Sequence, residues 1–243
     1  MKSSRGVARI GVLVPFTNTN LEPDLQLLRP DGVSLHFSRL GGYDADEVPD
    51  ESQMAGLGTS DLSEPLRLLL GVRPDLVMYG CTSATLTHGP DFDRELAEEI
   101  ERQSGAKTVT AAGALVHALQ SIDAKKVAFA SPYVPAINDR AVAFLDGSGI
   151  KTVSRADFDG VLDNTGQGAL TPDEVIALAK RADSKTAEAL VLSCTDMRSV
   201  EAVEQLEAEL GKPVVCSNQA MMRHARDLLG LVDGPACGRL LAA

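Results

Sequence analysis

The sequence repeats its own layout. Lys126-Val127-Ala128-Phe129-Ala130-Ser131-Pro132-Tyr133 follows the plan of Arg9 to Phe16, with Pro132 matching Pro15 at an offset of 117. Asp75 to Thr85 and Ala189 to Asp196 each open with a short Val/Leu run, break at Gly80 or Ser193, and continue into Cys-Thr. Farther on, Gly211 and Val215 match Gly105 and Val109 at an offset of 106, so the halves differ in loop length and not in order. Such runs are too short for isolated helices and suit buried strands.

Each repeat spans about 115 residues and reads as four strands alternating with helices, which is too long for a solenoid unit. It fits an α/β protein of two pseudo-symmetric, flavodoxin-like lobes, each a four-stranded parallel sheet flanked by helices, with the active site between the lobes. Residues 1–120 form the first lobe, completed by 217–243, and 121–216 form the second. Expected strands are Arg9 to Pro15, Val33 to Arg39, a run ending at Tyr79, Lys107 to Thr110, a run from Lys126, Gly149 to Val153, a run from Ala189 and one from Lys212. Expected helices include Leu62 to Leu70, Phe92 to Gln103, Ala111 to Leu119, Ala136 to Leu145, Val200 to Leu210 and Ala220 to Leu229. Glu22-Pro23-Asp24 and Thr171-Pro172-Asp173-Glu174 put acids and Pro in first helical turns, as the dipole and the missing hydrogen bonds favour. The glycine-rich, acidic segment 41–61 is a candidate mobile lid.

In open α/β sheets the ligand crevice lies at the carboxyl ends of the strands. Cys81 and Cys194, 113 positions apart, are therefore expected to face one another across one site. Strand-tip amides and hydroxyls are expected to lower a thiol modestly from its ordinary pKa near 8.5. Two opposed thiols support two chemistries. One thiolate can remove a proton α to a carboxylate while the other thiol delivers one to the opposite face, which is racemisation. Alternatively, a thiolate adds to an electron-poor double bond, the new single bond rotates, and the thiolate leaves. Both routes need donors around a carboxylate, and Thr82, Ser83, Thr195, Tyr133 and Asn18 sit at the same strand tips.

The chain is long enough for a full core, and 44% hydrophobic with 23% charged residues marks a soluble globular protein. A net charge of −11 without a Lys/Arg cluster or aromatic run argues against nucleic acid and against an anionic membrane. The first nine residues lack the apolar stretch of a signal peptide, and no run approaches the roughly 20 apolar residues of a membrane span, so a cytoplasmic location is expected. Four cysteines are too sparse for a disulfide framework, and no Cys/His spacing suggests zinc. Cys216 and Cys237 read as structural thiols. His36, His117 and His224 read as packing or surface residues, while His88, seven positions after Cys81, is expected near the pocket edge.

Val14-Pro15-Phe16-Thr17-Asn18-Thr19, Gly80-Cys81-Thr82-Ser83, Ser131-Pro132-Tyr133 and Ser193-Cys194-Thr195 together resemble the aspartate/glutamate racemase superfamily, and within it the maleate cis-trans isomerases. The tail Pro235 to Leu241 is similar to that of the arylmalonate decarboxylases. The resemblance implies a cofactor-free enzyme, without metal, acting on a small unsaturated dicarboxylate. Cys81 would be the nucleophile, Cys194 would supply or remove a proton on the other side, and Asn18, Tyr133 and Asn164 would hold the carboxylates, with Pro15, Thr82, Ser83 and Thr195 completing the pocket. It further implies a homodimer or higher homo-oligomer. The decarboxylase branch carries Gly where this chain has Cys81, and Phe16-Thr17 departs from the Ser-Ser of many isomerases. An amino-acid or hydantoin-type racemase, an arylmalonate-type decarboxylase and a non-catalytic small-acid sensor remain the alternatives.

Overall fold

The computed structural model describes residues 5–42 and 46–242. The chain runs β1 (Arg5–Pro15), α1 (Leu21–Leu28), β2 (Gly32–Leu40), α2 (Glu51–Gly58), α3 (Ser63–Leu70), β3 (Leu76–Tyr79), α4 (Thr82–Leu86), α5 (Pro90–Ser104), β4 (Lys107–Thr110) and α6 (Ala111–Ser121). The second series follows as β5 (Lys126–Ala130), α7 (Pro135–Gly147), β6 (Lys151–Ala156), α8 (Asn164–Ala169), α9 (Pro172–Ala182), β7 (Ala189–Leu192), a 3-10 turn (Val200–Ala202), α10 (Val203–Leu210), β8 (Val214–Cys216) and α11 (Ser217–Leu229). Two four-stranded sheets result, ordered β2-β1-β3-β4 and β6-β5-β7-β8. Every pairing is parallel, with Ile10 opposite Leu76 in one sheet and Val127 opposite Ala189 in the other.

Helices on both faces explain the near-continuous apolar sequence of β3 and β7, all of whose residues are buried. The last helix, α11, leaves the second sheet and packs against α6, α1 and β4 of the first. The longest helix has 15 residues, and among the described residues none is long and apolar enough to cross a membrane.

The structure refines several local expectations. The segment read as a lid contains an ordered helix, α2, nucleated by a capping box in which Asp50 accepts from Gln53 N–H and the Gln53 side chain accepts from Asp50 N–H. Residues 43–45 of that segment lie outside the described residues, as do residues 1–4 of the N-terminus. Strand β6 starts at Lys151, because Gly149 adopts φ +80°, a left-handed geometry that ends a turn and not one that begins a strand. Helix α11 begins three residues before Ala220, directly at the tip of β8.

Candidate active site

In each sheet the order in which strands are added reverses at the first strand of its lobe: β1 is flanked by β2 on one side and β3 on the other, and β5 by β6 and β7. The crevices therefore open at the carboxyl ends of β1/β3 and β5/β7. Those four tips carry Pro15 to Asn18, Cys81 to Ser83, Ser131 to Tyr133 and Cys194 to Asp196. All nine residues expected at the site, Pro15, Asn18, Cys81, Thr82, Ser83, Tyr133, Asn164, Cys194 and Thr195, line one cavity. It leaves about 40 Å³ for the centres of water molecules, room for about three waters.

Cys81 is the N-cap of α4, so Thr82 and Ser83, expected in a loop, form that helix's first turn. The Cys81 Sγ lies 3.7 Å from Ser83 Oγ and interacts with the Ser83 and Ala84 amides. Cys194 Sγ accepts from Asp196 N–H at 3.3 Å, lies 4.0 Å from Gln167 Oε1, and hydrogen-bonds the Tyr133 hydroxyl. That hydroxyl also faces Ser83, whose own hydroxyl donates to Met54 Sδ at 2.9 Å.

The expectation of lowered thiol pKa values does not hold. Burial pushes Cys81 up despite its amides, and burial reinforced by the Asp196 carboxylate pushes Cys194 up to about 12. The reason is burial of the thiols themselves: Cys81 and Cys194 are only 6% and 5% exposed, and the charges acting on them are negative. Both thiols therefore hold their protons at neutral pH.

The surrounding polar groups are largely engaged with one another. Asn18 Oδ1 accepts from Asn20 and Leu21 N–H, opening α1, while its Nδ2 donates to Thr195 Oγ1 at 3.0 Å. Turn chemistry and a place in the cavity thus coincide in one side chain. Thr195 Oγ1 donates to Gly80 O at 2.9 Å, and Thr82 Oγ1 donates to Ser217 Oγ. Asn164 opens α8 behind an Asp163 cap and donates to Glu47 O at 3.4 Å.

Sequence reasoning expected a cover from segment 41–61 without naming its residues, and it missed the knot of the site. Helix α2 supplies Met54 and Leu57 as the roof, held by Tyr79 Oη on Leu57 O, by His88 Nε2 2.9 Å from Ala55 O, and by an Arg140–Glu51 ion pair reaching across from α7. His88 thus anchors the roof and stacks on Phe92, outside the cavity lining. The knot is Asp196, whose Oδ1 accepts from Thr19 N–H at 2.7 Å, Asn20 N–H at 3.0 Å, Asn20 Nδ2 at 3.1 Å and Thr19 Oγ1 at 3.3 Å. It ties the tip of β7 to the tip of β1. Phe16, Thr17 and Gln167 also line the cavity; the Phe16-Thr17 pair stands out in the sequence, and an Asp50-x-x-Gln53 signature marks the start of α2. Cys216 and Cys237 are buried away from the cavity lining. Among the described residues no group of three or more His, Cys, Asp and Glu side chains converges as a metal site.

The model of one family, described as arylmalonate decarboxylase, matches residues 10–241. A maleate isomerase of Nocardia farcinica is 31% identical over 97% of this chain and 96% of its own. An arylmalonate decarboxylase of Bordetella bronchiseptica is 27% identical over 94% and 91%. Among solved structures, a cysteine-to-serine mutant of Nocardia farcinica maleate cis-trans isomerase with a covalently bound succinylcysteine intermediate superposes with a TM-score of 0.86 at 27% identity, covering 97% of this chain and 98% of that one.

Proposed function

The chain belongs to the arylmalonate decarboxylase family, and on that premise we propose that it is a maleate cis-trans isomerase, working by cysteine addition, bond rotation and elimination. The observation that carries this reading is the pair of thiols, one from each lobe, in a cavity with room for about three waters. A decarboxylase needs one proton donor to a carbanion. Addition to a double bond uses a second sulfur as nucleophile, which Cys81 offers.

In this reading, maleate displaces the cavity water under the roof of Met54 and Leu57, with its carboxylates against Asn18, Asn164, Tyr133 and the amides of the Cys81 and Cys194 loops. Cys81 loses its proton as its Sγ bonds to one olefinic carbon, and the π electron pair moves into the adjacent carboxylate as an enediolate. Both thiols start protonated, so the Cys81 proton refills Cys194 as Cys194 gives its own proton to the carbon, and no sulfur carries two protons or a standing charge. Protonation of the enediolate carbon by Cys194 gives a succinyl thioether, and its removal regenerates the enediolate. Rotation about the former double bond followed by return of the electron pair breaks the C–S bond and releases fumarate, while the proton lent to Cys194 returns to Cys81. Neither electrons nor protons are gained or lost overall. The two thiols therefore balance the reaction.

Four unpaired cysteines support a reducing, cytoplasmic setting. The packing of α11 on α6 and α1 supports counting 217–243 with the first lobe.

A proton NMR time course with maleate, aspartate and glutamate in D2O tests the reading. Fumarate grows with the wild-type protein and not with Cys81→Ala. Loss of an amino-acid α-proton signal with maleate unchanged would replace the isomerase by a racemase.

A further inference from the structure

Behind the thiols lies a buried acid and amide that the reaction does not use. Asp24, on the inner face of α1, is 5% exposed, and Asn218, in the first turn of α11, is 1% exposed. Asn218 Nδ2 donates to Asp24 Oδ2 at 2.7 Å and to the Thr195 carbonyl at 3.0 Å. Both amide hydrogens are thus spent, one on the first lobe and one on the loop that carries Cys194. The Asn218 Oδ1, equally buried, has no hydrogen-bond partner among the described residues. An orphaned carbonyl oxygen in such a place costs roughly 1–3 kcal/mol.

We propose that Asp24 is a positioning residue that works as a neutral carboxylic acid, its O–H donating to Asn218 Oδ1 and its other oxygen accepting from Asn218 Nδ2, so that the amide is locked and holds the Thr195 carbonyl in place. The acid–amide pair satisfies every polar atom of Asn218, which the carboxylate does not. Burial drives the same result by pushing Asp24 up to about 7, against the opposing Asn218 hydrogen bond. The charged neighbours are Glu201 and Asp196, which favour the neutral form, and Arg198, which opposes it. Cys216 and Cys237, on β8 and the C-terminal tail, also face Asp24.

The consequence for the proposed isomerase, on which this inference rests, is a built-in sensitivity to pH. As Asp24 ionises, its proton passes to solvent, Asn218 Oδ1 loses its donor, and a negative charge appears behind a site that must hold a dianion. The KM for maleate should then rise about five- to tenfold between about pH 6 and about pH 8, the order expected of a unit charge several ångströms away at an intermediate dielectric. Asp24→Asn replaces the neutral acid by a group with the same donor and acceptor, so its KM should stay flat across that range with kcat retained. Asp24→Leu should lose kcat at every pH.

The test is KM and kcat against pH for wild type, Asp24→Asn and Asp24→Leu, together with carbon-13 NMR of labelled aspartate carboxyls, assigned by the signal missing from Asp24→Asn. A carboxyl titrating near pH 7, and a pH-dependent KM that Asp24→Asn abolishes, support the proposal. A carboxyl titrating in the ordinary carboxylate range, or an Asp24→Asn protein with the wild-type pH dependence or with lost kcat, overturns it. If wild type does not turn over maleate, the isomerase reading fails, while the titration still decides whether Asp24 is a neutral partner of Asn218.

Discussion

Asp196 allows charge and hydrogen bonding to be separated by two substitutions. Its Oδ1 accepts from the main-chain N–H groups of Thr19 and Asn20 as well as from two side chains, with Asp196 buried, Asn20 half-buried and Thr19 exposed. Asp196→Ala removes the acceptor for both amides. At about 0.5–1.5 kcal/mol for each hydrogen bond lost where water can partly take its place, the loss should be about 1–3 kcal/mol. Asp196→Asn keeps an acceptor oxygen at the same place and removes the charge. Burial outweighs these hydrogen bonds in raising the Asp196 pKa, so the native state binds this proton more tightly than the unfolded chain. Its contribution to stability therefore falls as pH rises from the ordinary carboxylate range through the raised value. A neutral amide escapes that fall, and Asp196→Asn should lie within about 1 kcal/mol of wild type at pH 7. Urea unfolding at unchanged m-value measures both variants. An Asp196→Ala protein within 1 kcal/mol of wild type, or equal damage from the two substitutions, would refute the idea that this oxygen stitches the lobes.

Other expectations follow from the same geometry. Because burial keeps the Cys81 proton in place and the reaction starts from the protonated thiol, kcat should change less than about twofold from about pH 7 to about pH 8, as saturating maleate and stopped samples at each pH would reveal; a tenfold climb would show that a standing thiolate is required. A methyl group built on Gly58 would lie 2.3 Å from the Ala84 carbonyl, so Gly58→Ala should lift α2, costing about 1–3 kcal/mol in thermal unfolding and raising KM. Arg140→Ala removes a half-exposed ion pair and should change stability by less than about 1 kcal/mol, yet raise KM by releasing one end of the roof; equal KM values would show that the pair does not hold the roof closed.

What was legible in the sequence is what repeats locally. Strand runs, Pro15 and Pro132, and the two Cys-Thr pairs carry their meaning within a few residues, and parallel-sheet topology then gathers them at the strand tips without further information. The thiol pKa values were misread because desolvation depends on what closes over a site. That closure comes from α2, whose Asp50-x-x-Gln53 start lies within a segment rich in glycine.

The acids show the same limit more sharply. In sequence, Asp24 is a first-turn acid suited to a helix dipole, and Asp196 is the third residue of a Cys-Thr-Asp echo; each reads as a solvated charge. Folding places the partners of Asp24 on α11, 194 positions away, and those of Asp196 on the β1 loop, 177 and 176 positions away. Only the meeting of the lobes removes water from both, converting one from a dipole charge into a group poised near neutrality and the other into an acceptor for main-chain amides. A two-lobed site thus creates its electrostatics at the seam, where no local pattern records it. Substitutions along that seam should alter pH dependence even where they leave both sheets intact.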